Sequence, residues 1–395
     1  MRTVLYSSVG ETLTHYDVDV VSATLTRRAA LQMPSVVQYG WPHPSGRHLY
    51  VSTTDAARGS ATVSGAVHRL VALKIDADGA LAFDGAPQPL RQRPIHNSVD
   101  LSGRFALTCY NAPSHLTVHR IDPEGGLGEP IEQPTDLGLG AFAHQVLALP
   151  SNRAVSVVVR GNNPAANSPG DPGALKLFRF EDGRLSPLAT VAVGGRGGFG
   201  YGPRHLDFHP TQPWVYVLVE LQNELHMHRM YGDLFEAEPA FAIPSTQAPP
   251  LPHVRQVAGA IHVHPNGAVL YASNRVSATS HPEGPFPFVE GENNIGVFSI
   301  DQITGEPRPI QFVDPAGFHV RAFTIDPSGR LLIAATLADM ELRDGDRTRI
   351  VPAGLSLFRI ADDGRLNFAR RYAVEIPAPG VQHMWARAMA LPSPG

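Results

Sequence analysis

The chain has 395 residues, 43% of them hydrophobic, with 37 Gly, 36 Pro and only 17% charged residues, a composition of many short strands parted by turns. A formal charge of -4 supplies no concentrated positive charge for nucleic acid or an anionic membrane, so a small molecule is the expected partner. Cys109 is the only cysteine, which excludes an internal disulfide and a Cys-based metal cluster.

The first residues, MRTVLYSSVGETLTHYDV, lack the apolar core of a signal peptide, and no stretch is long and apolar enough to span a bilayer. A cytoplasmic, unexported protein is expected, as a monomer or a small homo-oligomer.

One phrase recurs along the chain, a Pro- or Gly-containing turn followed by a β-rich run. Its copies are HPSGRHLYVSTTD, DLSGRFALTCYNA, LPSNRAVSVVVRG, HPTQPWVYVLVEL, HPNGAVLYASNRV and DPSGRLLIAATLA, starting at residues 43, 100, 149, 209, 264 and 326. A second phrase, a strand ending in a charged turn and then a short strand, follows each copy, as in LVALKIDADGALAF and LSLFRIADDGRLNF. Asp-Gly and its relatives provide the positive φ that tight hairpins need, so each repeat reads as a four-stranded antiparallel sheet. The C-terminal LPSPG and the N-terminal RTVLYSS are two halves of a seventh copy. An all-β, seven-bladed β-propeller over residues 1–395 is therefore expected, its seventh blade completed by both termini so that no sheet edge stays open. A row of separate sandwiches is the competing reading, and the split copy speaks against it.

Four places carry possible chemistry: AFAHQVLALP with His144, GYGPRHLDFHP with Arg204 and His205, VLVELQNEL with Glu220, and YASNRV with Arg275. Inner propeller strands line a channel, so charged groups on or beside them are candidate ligand contacts. The plainer readings stand beside these. Arg204 has donors suited equally to bracing neighbouring blades through carbonyls, and His144 could be a satisfied core histidine. A carboxylate at Glu220, within an apolar run, requires a partner or a function. His43, His209 and His264 recur inside the turn phrase and are assigned to turns. His262 and His264 form an HxH pair, but no third ligand is indicated, so neither a metal nor any other cofactor is expected. There is no nucleophile elbow, P-loop or dinucleotide fingerprint. The segment 276–293 is long enough to cover a channel mouth, and GGRGGFGYG at 194–202 reads as a loop leading to the GPRH motif.

GPRHLDFHP, the Glu of VELQNEL and the later YASNR before IGVFSID resemble the lactonase family that includes propeller 6-phosphogluconolactonases and fungal carboxy-muconate lactonizing enzymes. The resemblance runs over essentially the whole chain in the same motif order. It implies that His144, Arg204, Glu220 and Arg275 match the family's active-site residues. His205, Arg160 and Arg321 are further candidate substrate contacts beside them. Val219, where family members often have Asn, and Val159-Arg160-Gly161, where many lactonases have Asp-Leu-Gly, are departures that bear on the substrate. Ring opening needs an activated water, a place for negative charge and a proton for the leaving alkoxide. The expectation is His144 as base, Arg204 and Arg275 as anchors for a carboxylate, phosphate or oxyanion, and Glu220 as acid/base partner or orienter, acting on a small anionic sugar-acid or dicarboxylate lactone. A muconate-type cycloisomerase is the enzymatic alternative, and a non-catalytic binding propeller the alternative of another class.

Overall fold

A computed structural model describes residues 2–56, 65–165, 167–251, 253–276, 290–344 and 347–392. Among them there is no helix, and seven antiparallel sheets of four or five strands form the blades of a β-propeller, with one additional two-stranded hairpin, Met340–Asp344 with Arg347–Val351. The expected closure is present: Thr3–Val9 pairs on one side with Thr12–Asp19 and on the other with His383–Ala390, from Thr3 opposite Ala390 to Val9 opposite His383. Most of the segment expected to cover a channel mouth, 277–289, lies outside the described residues.

The recurring phrases are blade-to-blade clamps. His43, His209 and His264, expected in turns, each donate from Nε2 to a glycine carbonyl in the turn of the following blade, Gly103 at 2.9 Å, Gly267 at 2.9 Å and Gly329 at 2.8 Å. Gly103 and Gly267 have positive φ, and a side chain at either would run into the histidine ring. A second clamp comes from the second strand of four blades. Tyr6, Tyr50, Tyr216 and Tyr271 donate to Gly79, Gly125, Gly305 and Gly364 at 2.7 to 2.9 Å. Each such bond is worth about 1 kcal/mol net, and apolar residues fill the space between neighbouring sheets, such as Phe105 against Phe180, and within one sheet, such as Phe298 against Phe312.

The inner strands that face the axis are Val36–Pro42, Pro94–Val99, Ala143–Ala148, Pro203–Phe208, Gln256–Val263, Val320–Ile325 and His383–Ala390. Every one slips register against its neighbour near its start. Ala143 faces Val159 and Gln145 faces Val158, so His144 faces no residue. The same slip isolates Gln38, Ile95, Arg204, Arg321 and Met384, and in the fifth blade it falls at Gly259 and Ala260. A bulge bends a strand and re-aims the side chain of its extra residue. Here a ring of bulges turns its side chains into one layer of the channel.

Candidate functional site

Six of these bulge positions, Ile95, His144, Arg204, Ala260, Arg321 and Met384, line a cavity on the axis together with His205, Tyr39 and Trp385. It is narrow, with a cavity volume of about 20 Å³, and it adjoins a wider space along the axis. His144, Arg204, His205 and Arg321 thus converge on one wall system although they come from three blades. The rings of His144 and His205 meet edge to face at 5.3 Å, and His205 meets His96 at 5.9 Å. Nδ1 of His144 is buried with no hydrogen-bond partner. Burial, and then the positive charges of Arg204, Arg321, Arg160 and Arg275, hold its pKa well below the ordinary histidine value. His144 is a neutral imidazole at pH 7.

Above this ring, at the ends of the second strands of three consecutive blades, stand Arg160, Glu220 and Arg275. They occupy one repeat position, ten residues after Pro150, Pro210 and Pro265. Arg275 Nη2 donates to Glu220 Oε1 at 2.6 Å, Arg160 Nη1 reaches Oε2 at 3.4 Å, and Arg204 Nε lies 3.4 Å from Oε1. Burial pushes the Glu220 carboxyl up, but Arg275, Arg204 and Arg160 more than offset it and leave it below its ordinary value. Three guanidiniums against one carboxylate leave an excess of positive charge beside the cavity. Glu220, Arg275 and Arg160 do not line that cavity; they back it through Arg204.

Arg204 serves the plainer reading as well. Its Nη1 donates to the Gly259 carbonyl of the next blade at 2.6 Å and stands 3.2 Å from His205 Nδ1. Arg275 is braced within its own sheet, with Nε on the Ala258 carbonyl at 3.3 Å, and its Nη1 lies 2.9 Å from His319 Nε2. Arg160 is fixed by Asn162 Oδ1 at 3.1 Å and stacks over Phe142 at 4.6 Å. These contacts make the guanidiniums rigid, which is the condition for a preorganised electrostatic site.

His262 and His264 do not share a face. His262 points into the channel, with Nδ1 3.7 Å from Asp207 Oδ2, while His264 sits in the turn on the Gly329 carbonyl. The strand ends at Val263, so alternation does not carry through to His264. Among the described residues no group of three or more His, Cys, Asp or Glu is spaced to hold a metal ion.

Arg387, which the sequence reading did not single out, lines this cavity and the one beyond it. It lies five residues before Pro392, whereas Asp207, His262 and Thr324 of the same cavity lie three before Pro210, Pro265 and Pro327, so repeat alignment does not single it out.

A family model described as "Lactonase, 7-bladed beta-propeller" matches residues 4–341. The 6-phosphogluconolactonase of Enterobacter sp. (strain 638) is 30% identical over 321 residues, covering 79% of this chain and 81% of its own. That of Pectobacterium carotovorum subsp. carotovorum (strain PC1) is 26% identical over 372 residues, covering 93% and 92%. The structure of the periplasmic gluconolactonase of Pseudomonas aeruginosa matches with a TM-score of 0.70 at 18% identity, over 99% of this chain and 100% of that one, a likeness of fold.

Proposed function

The chain belongs to the lactonase family of seven-bladed β-propellers, and we propose that it hydrolyses a small anionic lactone, of the sugar-acid type, in the cavity on the propeller axis. The observation that carries this reading is a neutral imidazole, His144, sharing a bulge ring with the guanidiniums of Arg204 and Arg321.

In this reading His144 takes a proton from water as the water attacks the lactone carbonyl. Arg204, with one nitrogen committed to Gly259, meets the negative charge that develops on the carbonyl oxygen. The imidazolium then returns its proton to the leaving alkoxide as the ring C–O bond breaks, so that His144 ends the cycle neutral. Glu220 is the orienter rather than the acid. Its carboxylate is held ionised by three arginines and has no proton to give near neutral pH. The surplus positive charge supports an anionic substrate, and relatives named 6-phosphogluconolactonase support hydrolysis over cycloisomerisation and a sugar-acid over a dicarboxylate ring. A cytosolic location, and a monomer or small homo-oligomer, belong to the same proposal.

A pH-indicator assay across sugar-acid and dicarboxylate lactones tests it, because hydrolysis releases a proton whatever the ring. Fastest release is expected on a phosphorylated or carboxylated sugar-acid lactone. No release above the uncatalysed rate on any of them would leave the binding-propeller reading.

A further inference from the structure

We propose that Arg387 is the anchor for the anionic group of the substrate, a phosphate or carboxylate carried several atoms from the lactone carbonyl. This deepens the hydrolase reading, on which it rests, by naming the group that reads the substrate's charge.

The position follows from the bulges. Three residues beyond each bulge the inner strands form a second ring, in which Trp41, Asp207, His262, Thr324 and Arg387 face a cavity of about 230 Å³. Arg387, Trp41, Tyr39, His205 and His262 line both this cavity and the one that holds His144 and Arg204. One ligand can therefore touch His144 at one end and Arg387 at the other.

What singles out Arg387 is that no acceptor among the described residues takes a hydrogen bond from its guanidinium. Arg160, Arg204 and Arg275 all reach Glu220. The Arg387 guanidinium lies 5.1 Å from the centre of the Trp41 ring and is attracted at longer range by Tyr39 and the Asp207 carboxylate, but no hydrogen bond or ion pair joins it to any described residue. Stacking on an indole favours a cation but accepts none of its N–H groups. A planar fork with its donors free in a narrow channel is a costly arrangement that a bound carboxylate or phosphate would relieve. Asp207, the carboxylate of the same ring, is committed elsewhere. Its Oδ1 accepts from the Phe208 amide at 2.9 Å and its Oδ2 from the Val263 amide at 2.8 Å, with His262 beside it. It is fixed in place, and its remaining lone pairs suit hydroxyl groups. The ring thus fits a ligand that is both anionic and hydroxylated.

The test uses the full-length protein and the variants Arg387→Met and Arg387→Lys, with thermal midpoints recorded for each. Inorganic phosphate titrated by calorimetry should bind the wild type, bind Arg387→Met at least about 30-fold more weakly and bind Arg387→Lys to an intermediate degree. In kinetics, kcat/KM for a phosphorylated sugar-acid lactone should fall about 100-fold further in Arg387→Met than for its unphosphorylated counterpart, mainly through KM. A carboxylated lactone run in parallel distinguishes the two anions, since the one recognised shows the larger loss. Phosphate binding that survives Arg387→Met but is lost in Arg160→Met would overturn the proposal and assign the anion to the Glu220 cluster. So would an unchanged preference for the charged lactone in either Arg387 variant. If no lactone is hydrolysed the proposed activity fails, while the phosphate titration still decides the role of Arg387.

Discussion

Arg275 and Glu220 are joined at 2.6 Å from adjacent blades, and the same carboxylate is shared by Arg204 and Arg160. Glu220, Arg275 and Arg204 are buried in that junction, and Arg160 is half-buried at its edge. Removing the negative charge leaves three guanidiniums facing one another. Glu220→Gln should therefore destabilise the protein by roughly 3 kcal/mol, the scale for breaking a buried pair, and lower turnover by displacing Arg204. Denaturant unfolding measures the first effect. The pH-rate profile should keep its shape, since a residue that stays ionised contributes no limb near neutrality. A fully stable variant that has lost a limb of its profile would restore the acid/base role.

Acid should weaken the fold well above the carboxylate range. Burial lowers the pKa of His96 to about 3 and of His119, His228 and His383 to about 4, and His144 and His205 are held well below 6.5. The unfolded chain binds these protons near its ordinary pKa of about 6.5 while the folded one does not. Stability is thus fully present above that value and is lost as pH falls, by up to roughly 1.4 kcal/mol per pH unit for each group. Glu220, with its lowered pKa, adds a further loss below the ordinary glutamate value. Urea midpoints at pH 7 and pH 5 should differ clearly; equal midpoints would contradict the neutral burial of these imidazoles.

The ring closure has a specific latch. Ser7 Oγ and His383 Nε2 are 2.6 Å apart, and the other ring nitrogen of His383 lies 3.1 Å from the Thr336 carbonyl, so His383 donates there and accepts from Ser7. Ser7→Ala should cost about 1–3 kcal/mol, since it strands a buried imidazole nitrogen, and deletion of residues 1–8 should cost far more by exposing two strand edges. Thermal midpoints check both. A truncated protein with an unchanged midpoint would mean that pairing of Thr3–Val9 with His383–Ala390 contributes little.

The closure was legible because LPSPG and RTVLYSS complete one phrase, and the turn histidines were legible because they recur. The site was legible only in part. His144, Arg204 and Arg321 lie six residues before Pro150, Pro210 and Pro327, so repeat alignment alone sorts them into one layer, with Arg160, Glu220 and Arg275 in another. That the first layer enters the channel depends on a register slip in each inner strand, and nothing in the alternation of side chains announces a slip. The Glu220 cluster was read as separate actors because pairing across blades is a property of the closed ring. Arg387 escaped because it stands two residues out of phase with the repeat, and its unbonded donors are visible only once every neighbouring acceptor has been located.

His144 offers the most direct test of chemistry against scaffold. As a bulge residue it faces nothing across the strand, and its Nδ1 has no protein partner, so His144→Ala removes little that the fold uses. The midpoint of unfolding should move by less than about 1 kcal/mol, the range of substitutions that break no named interaction. Turnover should drop by roughly two to four orders of magnitude, the scale of a general base, with a smaller change in KM. The pH profile carries a second signature. In the free enzyme, burial and four neighbouring arginines suppress protonation of His144, so the acid limb of kcat/KM should lie well below pH 6.5. A bound anion offsets part of that positive charge and raises the imidazole pKa, so the acid limb of kcat, which reports the enzyme–substrate complex, should lie at higher pH than that of kcat/KM. With an uncharged lactone the two limbs should draw together. A folded His144→Ala variant with full turnover, or limbs that coincide for charged and uncharged substrates alike, would remove His144 from the role of base.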